Sequence, residues 1–392
     1  MADARPDEAT APTAATDRAK RVARYALLCG AFYLLASAAI AWRYPYRRGF
    51  DDFDHIPAAL HWAQTWTLDS GGPFLRVPFW SILLGTSYRI FGTDHGLFAL
   101  QAGIVLGSIA CFFAYVARRF GDQDAPWIAL APILMFALSP QTLLYSRHAV
   151  NDLFIGLLAM SVMLIGESRL ARRALWMGAV VGIAFLTKVV AILLVIPALV
   201  YALRDGGGRA RLRSAGEIAV GIVAVSLPLL ALHVHHRGWV PLDTTSAYNL
   251  SPYWVTEWRA LGDHAERYRA GMEAWRTVYA AAPADYWKDF VGRLAVWLGR
   301  PASADFALYM AHYPQTAIRV LDALALYPMV LLAALGTTRR QLGMWAFLAA
   351  IAVGCAFPLH TPYSPKVTWL FPCVLLAPFG ILKLRDALKR RG

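Results

Sequence analysis

The sequence predicts an all-α protein that crosses a membrane about ten times. Three observations predict it. Of 392 residues, 58% are hydrophobic and only 16% charged, with a mean hydropathy of +0.44. A soluble chain of this length needs far more polar surface. The apolar residues gather into ten runs, several shorter than the roughly 20 residues of a perpendicular span. Basic residues recur on alternate links between those runs.

Residues 1–19 are rich in Ala, Thr, Asp and Pro without apolar periodicity, the composition of a disordered cytoplasmic tail. Lys20, Arg21 and Arg24 then precede Tyr25–Trp42. That run is long enough to span, and no convincing cleavage site follows it, so it reads as an uncleaved signal anchor. Further runs cover 97–117, 126–143, 149–166, 174–187, 189–203, 217–235, 320–336, 343–359 and 367–383. With the N-terminus in the cytoplasm, the inner links hold Arg118-Arg119, Arg169/Arg172/Arg173, Arg204 to Arg213, Arg339-Arg340 and the tail from Lys383. The same rule divides 174–203 into two short helices turning outside near Thr187-Lys188, because both flanks are basic. A single membrane domain over 20–392, with both termini inside, accounts for the whole pattern.

Two outer segments are long. The first, 43–94, contains Pro73–Phe91, a mixed stretch that reads as an interfacial helix. The second, 237–319, holds Trp239, Trp254, Trp258, Trp275, Trp287 and Trp297. Those aromatics suit headgroup depth, either as a plain belt or as a cap over a site.

The net charge of +13 does not mark a nucleic-acid binder, because the basic residues alternate with apolar runs and form no continuous patch. Cys29, Cys111, Cys355 and Cys373 all lie within apolar runs and form no Cys-x-x-Cys pair. Dinucleotide, P-loop, nucleophile-elbow and zinc-protease motifs are absent.

Chemistry concentrates in Gly49-Phe50-Asp51-Asp52-Phe53-Asp54-His55-Ile56-Pro57. Adjacent carboxylates repel, which raises one pKa and makes a general base of it; a solvated acidic turn or a helix cap is the plain alternative. Arg76 can bind a lipid phosphate or simply snorkel to headgroups. Arg147 and Asp152, on the link Ser146–Asp152, are membrane-edge charges that serve function or a mutual salt bridge. Lys188 has no acid near it in sequence, so it needs a lipid or substrate phosphate. His360, Tyr363 and Lys366 offer two titratable groups and a phenol on the last outer loop, or a polar turn.

These motifs, in this order and on one side, resemble the GT-C superfamily of integral-membrane glycosyltransferases. The similarity is greatest to the branch of protein O-mannosyltransferases and lipid A aminoarabinose transferases. It rests on Asp51-Asp52, a helix ending at Phe91-Gly92, Ser146-Arg147 before Asp152, and Gly182-x-x-x-Leu186-Thr187-Lys188. Asp51 to Pro57 also looks like the Asp-Glu-x-x-His-x-Pro of dolichyl-phosphate-glucose glucosyltransferases, with Asp in place of Glu. The resemblance covers about 25–203. It implies a sugar donor on a polyprenyl phosphate, transfer with inversion at the outer face of a bacterial inner membrane, and a lipid, glycan or protein acceptor. Asp51 or Asp52 would be the base. His55, Arg76, Arg147, Asp152, Lys188, His360, Tyr363 and Lys366 would bind substrate. No cofactor is obligatory, although Asp51 or Asp52 with Asp152 and a His could hold a divalent cation. The rivals are a lipid-linked-sugar flippase, which should show inverted repeats and midplane charges, and an enzyme that transfers a phosphate-bearing group.

Overall fold

The computed structural model describes residues 11–47, 52–68, 75–93, 95–120, 125–204, 207–240, 242–299, 314–358 and 368–390. No strand occurs among them, and the chain is an all-α polytopic membrane protein. Its helices are α1 (Ala11–Arg43), α2 (Asp52–Thr65), α3 (Pro78–Phe91), α4 (Gly96–Phe120), α5 (Ala125–Leu138), α6 (Pro140–Tyr145), α7 (Asp152–Gly166) and α8 (Arg173–Thr187). After the 3-10 turn Val189–Leu194 come α9 (Val195–Arg204), α10 (Gly208–Arg237), α11 (Thr245–Leu250), α12 (Val255–Ala260), α13 (His264–Ala281) and α14 (Pro283–Gly299). The last three are α15 (Gln315–Gly336), α16 (Leu342–Ala356) and α17 (Leu370–Lys389). The ten apolar runs fall largely on these helices; 126–143 is divided between α5 and α6 at Ser139, and 189–203 begins as the 3-10 turn before α9. Helix also occupies 11–19, in the stretch whose composition suggested disorder; four alanines there favour it.

Length sorts the helices by position. Lys20–Arg43, Gly96–Arg119, Gly208–Arg237 and Gln315–Gly336 are long and apolar enough to cross a membrane. Three of them bury only 17–22% of their most apolar window, so they form the lipid-facing rim. By contrast, α7, α8 and α16 have 15 residues each, a rise of about 22 Å against roughly 30 Å of hydrocarbon. The interior holds such short helices: ten of the residues of α7 are buried. The longer α17 joins them there, buried at every residue from Leu370 to Pro378. A buried helix can stop short of the membrane surface, because its loose ends meet protein or a wet cavity and not lipid. Phe371 of α17 packs on Phe136 at 4.9 Å and on Gly156, where any Cβ would strike the ring.

Small residues let α8 and α10 touch. Gly178 faces the Ile218 carbonyl, Gly182 faces Ile222 and Ser226, and Gly221 faces the Leu175 carbonyl. The numbers rise together, so the two helices run parallel and α9 must return between them. The chain therefore reverses at Lys188, where the backbone is extended and α8 ends, as the flanking charges require. Gly178-x-x-x-Gly182 supplies the close approach that associates helices in lipid. Gly178→Leu is expected to cost at least the 1–3 kcal/mol of an overpacked core, and about as much for Gly221→Leu. Size exclusion of detergent-extracted protein reads this as loss of the monodisperse peak, with Gly103→Leu, which faces open space, as the tolerated control.

The described parts of both long segments expected outside fold into helices. The first contributes α2 and α3, and α3 is docked by Trp80, Leu84 and Tyr88, not merely laid on the interface. The second contributes α11 to α14. Tyr286 Oη and Arg293 donate to the Ala356 and Phe357 carbonyls at the end of α16. Of its tryptophans, Trp258 and Trp297 are fully buried while Trp239 and Trp254 are exposed, so part of the segment is packed core and part a surface belt.

Candidate active site

The site is built around the link between α6 and α7. His148 to Asn151 lack regular secondary structure yet are buried, so their backbone polar groups need partners. Three elements supply them. Gln101 Nε2 of α4 donates to the His148 and Val150 carbonyls at 2.6 and 2.8 Å. Trp80 Nε1 of α3 donates to the Ala149 carbonyl at 2.8 Å. The Asp52 carboxylate of α2 accepts from Ala149 N at 2.6 Å and from His148 Nδ1 at 2.7 Å. The link reciprocates through Asn151 Nδ2, which donates to the Thr187 carbonyl at 2.8 Å.

Asp52, expected at a water-facing mouth, is thus fully buried. A carboxylate that accepts two hydrogen bonds inside the protein is a clamp between the first outer segment and the link. Asp51 lies outside the described residues, and so do His360, Tyr363 and Lys366.

Two cations find acids at this end of the bundle. Lys188 Nζ pairs with Asp152 at 2.7 Å. The sequence offered Lys188 only a phosphate; folding brings it a carboxylate from the first turn of α7. Arg76 pairs with Asp54 at 3.0 Å, a residue that the sequence reading left without a role. The backbone of Arg76 is held as well: Arg237 donates to its carbonyl at 3.1 Å, and Leu75 and Thr244 exchange hydrogen bonds at 2.9 and 3.0 Å. Arg147 takes a different task. Its guanidinium donates to the Tyr44 and Ile40 carbonyls at 2.6 and 3.3 Å, which caps the end of α1. The salt bridge to Asp152 considered for it is replaced by the one from Lys188.

His55 ties the two ion pairs together. Its imidazole is buried, and Nδ1 has no hydrogen-bond partner among the described residues. Burial first, then the nearby charges of Arg76 and Lys188, hold its pKa well below the ordinary 6.5. Both cations therefore act on one neutral ring. The link closes the geometry: Ala149, bonded to Asp52, and Asp152, bonded to Lys188, are three residues apart, at most about 11 Å of chain. Asp52, His55, Arg76, Asp152 and Lys188 thus share one end of the bundle. Among the described residues, no three His, Cys, Asp or Glu side chains converge to hold a metal ion.

His148, Gln101, Trp80 and Asn151 were missed by the sequence reading. The one signal available was their polarity next to apolar runs, which also fits a solvated turn.

Residues 75–235 match the model of the family described as dolichyl-phosphate-mannose-protein mannosyltransferase. That is the branch of GT-C glycosyltransferases the sequence resembles. The matched stretch includes Arg76, the link, Asp152 and Lys188, and begins after α2. Among solved structures, the chain is similar to ArnT from Cupriavidus metallidurans in the apo state, at 16% identity and a TM-score of 0.45. The same protein bound to undecaprenyl phosphate gives 16% and 0.43. Both comparisons cover 91% of this chain and 77% of the other. No curated protein matches the chain significantly in sequence.

Proposed function

We propose that the protein is a membrane glycosyltransferase that moves a sugar from a polyprenyl-phosphate donor to an acceptor hydroxyl. The acceptor is a lipid, glycan or protein at the outer face of the plasma membrane. The observation that carries this reading is the meeting of Arg76–Asp54 and Lys188–Asp152 at one end of the bundle; both cations and Asp152 lie in the stretch similar to a family named for lipid-phosphate sugar donors.

The acceptor oxygen attacks the anomeric carbon as its proton passes to a carboxylate, and the bond from that carbon to the phosphate oxygen breaks. The sugar inverts, and the polyprenyl phosphate leaves with one more negative charge. Of the adjacent acids, Asp51 is the base, since both Asp52 oxygens already accept hydrogen bonds from the link. Arg76 and Lys188 stabilise the charge that develops on the departing phosphate. Asp54 and Asp152 aim them. A donor that arrives dissolved in the bilayer needs no nucleotide-binding domain, and the cations supply positive charge without an obligatory metal.

The test is turnover of a polyprenyl-phosphate sugar by the full chain in membranes, read as release of polyprenyl phosphate. Asp51→Asn is expected to lose about 10²-fold or more, the usual worth of a general base. Equal turnover in both would remove Asp51 from the role. Movement of intact donor between leaflets without bond cleavage would replace the enzyme with a flippase.

A further inference from the structure

The two ion pairs leave a charge problem at the proposed site. Each cation is matched by its own carboxylate, Arg76 by Asp54 and Lys188 by Asp152. Each pair is close to neutral as a unit. The product of the proposed transfer is a phosphate monoester, which carries between one and two negative charges near neutral pH. Such a group entering between two neutralised pairs is under-compensated unless something else turns positive.

We propose that His55 is the proton acceptor of the phosphate site: its imidazole binds a proton when a phosphate monoester arrives between Arg76 and Lys188. The inference rests on the glycosyltransferase reading and deepens it. Nδ1 of His55 is buried and has no hydrogen-bond partner among the described residues, so it is free to gain one. The ring is neutral before binding because burial and the fields of Arg76 and Lys188 disfavour its charged form. An incoming phosphate turns both of those fields toward the anion and adds a negative charge beside the ring. That reverses the balance and raises the proton affinity of the imidazole. The proton comes from solvent, no other bond changes, and the imidazolium contributes a further N–H donor.

Among the described residues, the acids and the arginines of the surrounding elements are already engaged. Asp52 holds His148, Asp54 holds Arg76, and Asp152 holds Lys188. Arg237 of α10 bonds the Arg76 carbonyl. On α3, Arg89 donates to the Ala63 carbonyl at the far end of α2, and Tyr88 belongs to the buried cluster that includes Ile56. His55 is the imidazole among these described groups whose charged form both cations disfavour.

The experiment uses the full chain in nanodiscs, titrated with undecaprenyl phosphate in a calorimeter. Two buffers of different ionisation heat at about pH 7.5 give the protons taken up per lipid bound. Wild type is expected to take up on the order of one proton more than His55→Gln. Its affinity should also weaken more steeply as pH rises, because the bound state is the protonated one. Ionisation of the lipid itself contributes equally to both proteins. Equal uptake by wild type and His55→Gln, with binding intact, overturns the inference and leaves the transferase reading standing. Failure of folded wild type to bind undecaprenyl phosphate overturns that reading and the inference with it. If His55→Gln does not fold, His55→Asn replaces it. Wild type that binds while taking up no proton beyond the lipid's own overturns the proposal without any variant.

Discussion

Lys188→Met is expected to reduce turnover of a polyprenyl-phosphate sugar by about 10²–10³-fold, the range for removing one preorganised donor from a developing anion. The same change should also destabilise the protein. Asp152 is nearly fully buried and Lys188 less than a quarter exposed. Removing the ammonium leaves a buried carboxylate at the start of α7 without its partner, which costs about 3 kcal/mol or more. The double variant Lys188→Met/Asp152→Asn separates the two effects. It removes the stranded charge, so thermal stability should recover most of the loss. Turnover should not recover, since the phosphate still lacks its cation. A double-mutant cycle read in both quantities is the measurement. Recovery of activity together with stability would mean that Lys188 serves the fold alone, and would remove it from the leaving-group site.

Much of the helical scaffold was legible because lipid imposes a coarse rule. A backbone crossing hydrocarbon must satisfy its own hydrogen bonds, so apolar runs become helices. Charge on the links then orders them, and it predicted the reversal at Lys188 from Arg169 to Arg173 on one side and Arg204 on the other. The α2 helix was not legible. Asp52, Phe53 and Asp54 look like a polar turn, and Pro57 sits about a turn and a half into the helix, where proline usually breaks one. It folds because Asp52 is anchored to the link and Ile56, Ala59 and Trp62 bury against the rest of the protein.

The site was legible in its residue types and not in its pairings. Asp52, Arg76, Asp152 and Lys188 stood out as charges at the membrane edge. Which acid meets which cation depends on contacts across 22 residues for Arg76 and Asp54, 36 for Lys188 and Asp152, and 96 for His148 and Asp52. No local periodicity carries that information. Arg147 shows the reverse case. Its position beside Ser146 looked like a substrate contact, and folding directs its guanidinium to the carbonyl end of α1.

The opposite end of the bundle gives the second large effect. Glu167, just past α7, draws four donors from three elements onto one carboxylate. Arg119 Nε of α4 pairs with it at 2.8 Å, and Gln341 Nε2 ahead of α16 donates at 2.9 Å. Tyr115 and Tyr201 Oη add bonds at 3.2 and 3.4 Å. Its side chain is only 10% exposed, so the charge is poorly reached by water. Glu167→Ala leaves Arg119 and three polar groups around an empty centre, and breaking such a buried pair costs about 3–5 kcal/mol. Glu167→Gln should lose less, because one oxygen can still accept. Thermal unfolding in detergent is the readout, with turnover of the surviving folded protein measured well below the transition. Turnover per folded molecule is expected to stay near wild type. The carboxylate closes the end of α7 at Gly166, a whole helix away from Asp152, and touches none of the residues proposed to meet the donor. A Glu167→Ala protein that unfolds normally but fails to turn over would show that the two ends of α7 are coupled, and that the scaffold does more than hold Lys188 and Asp152 in place.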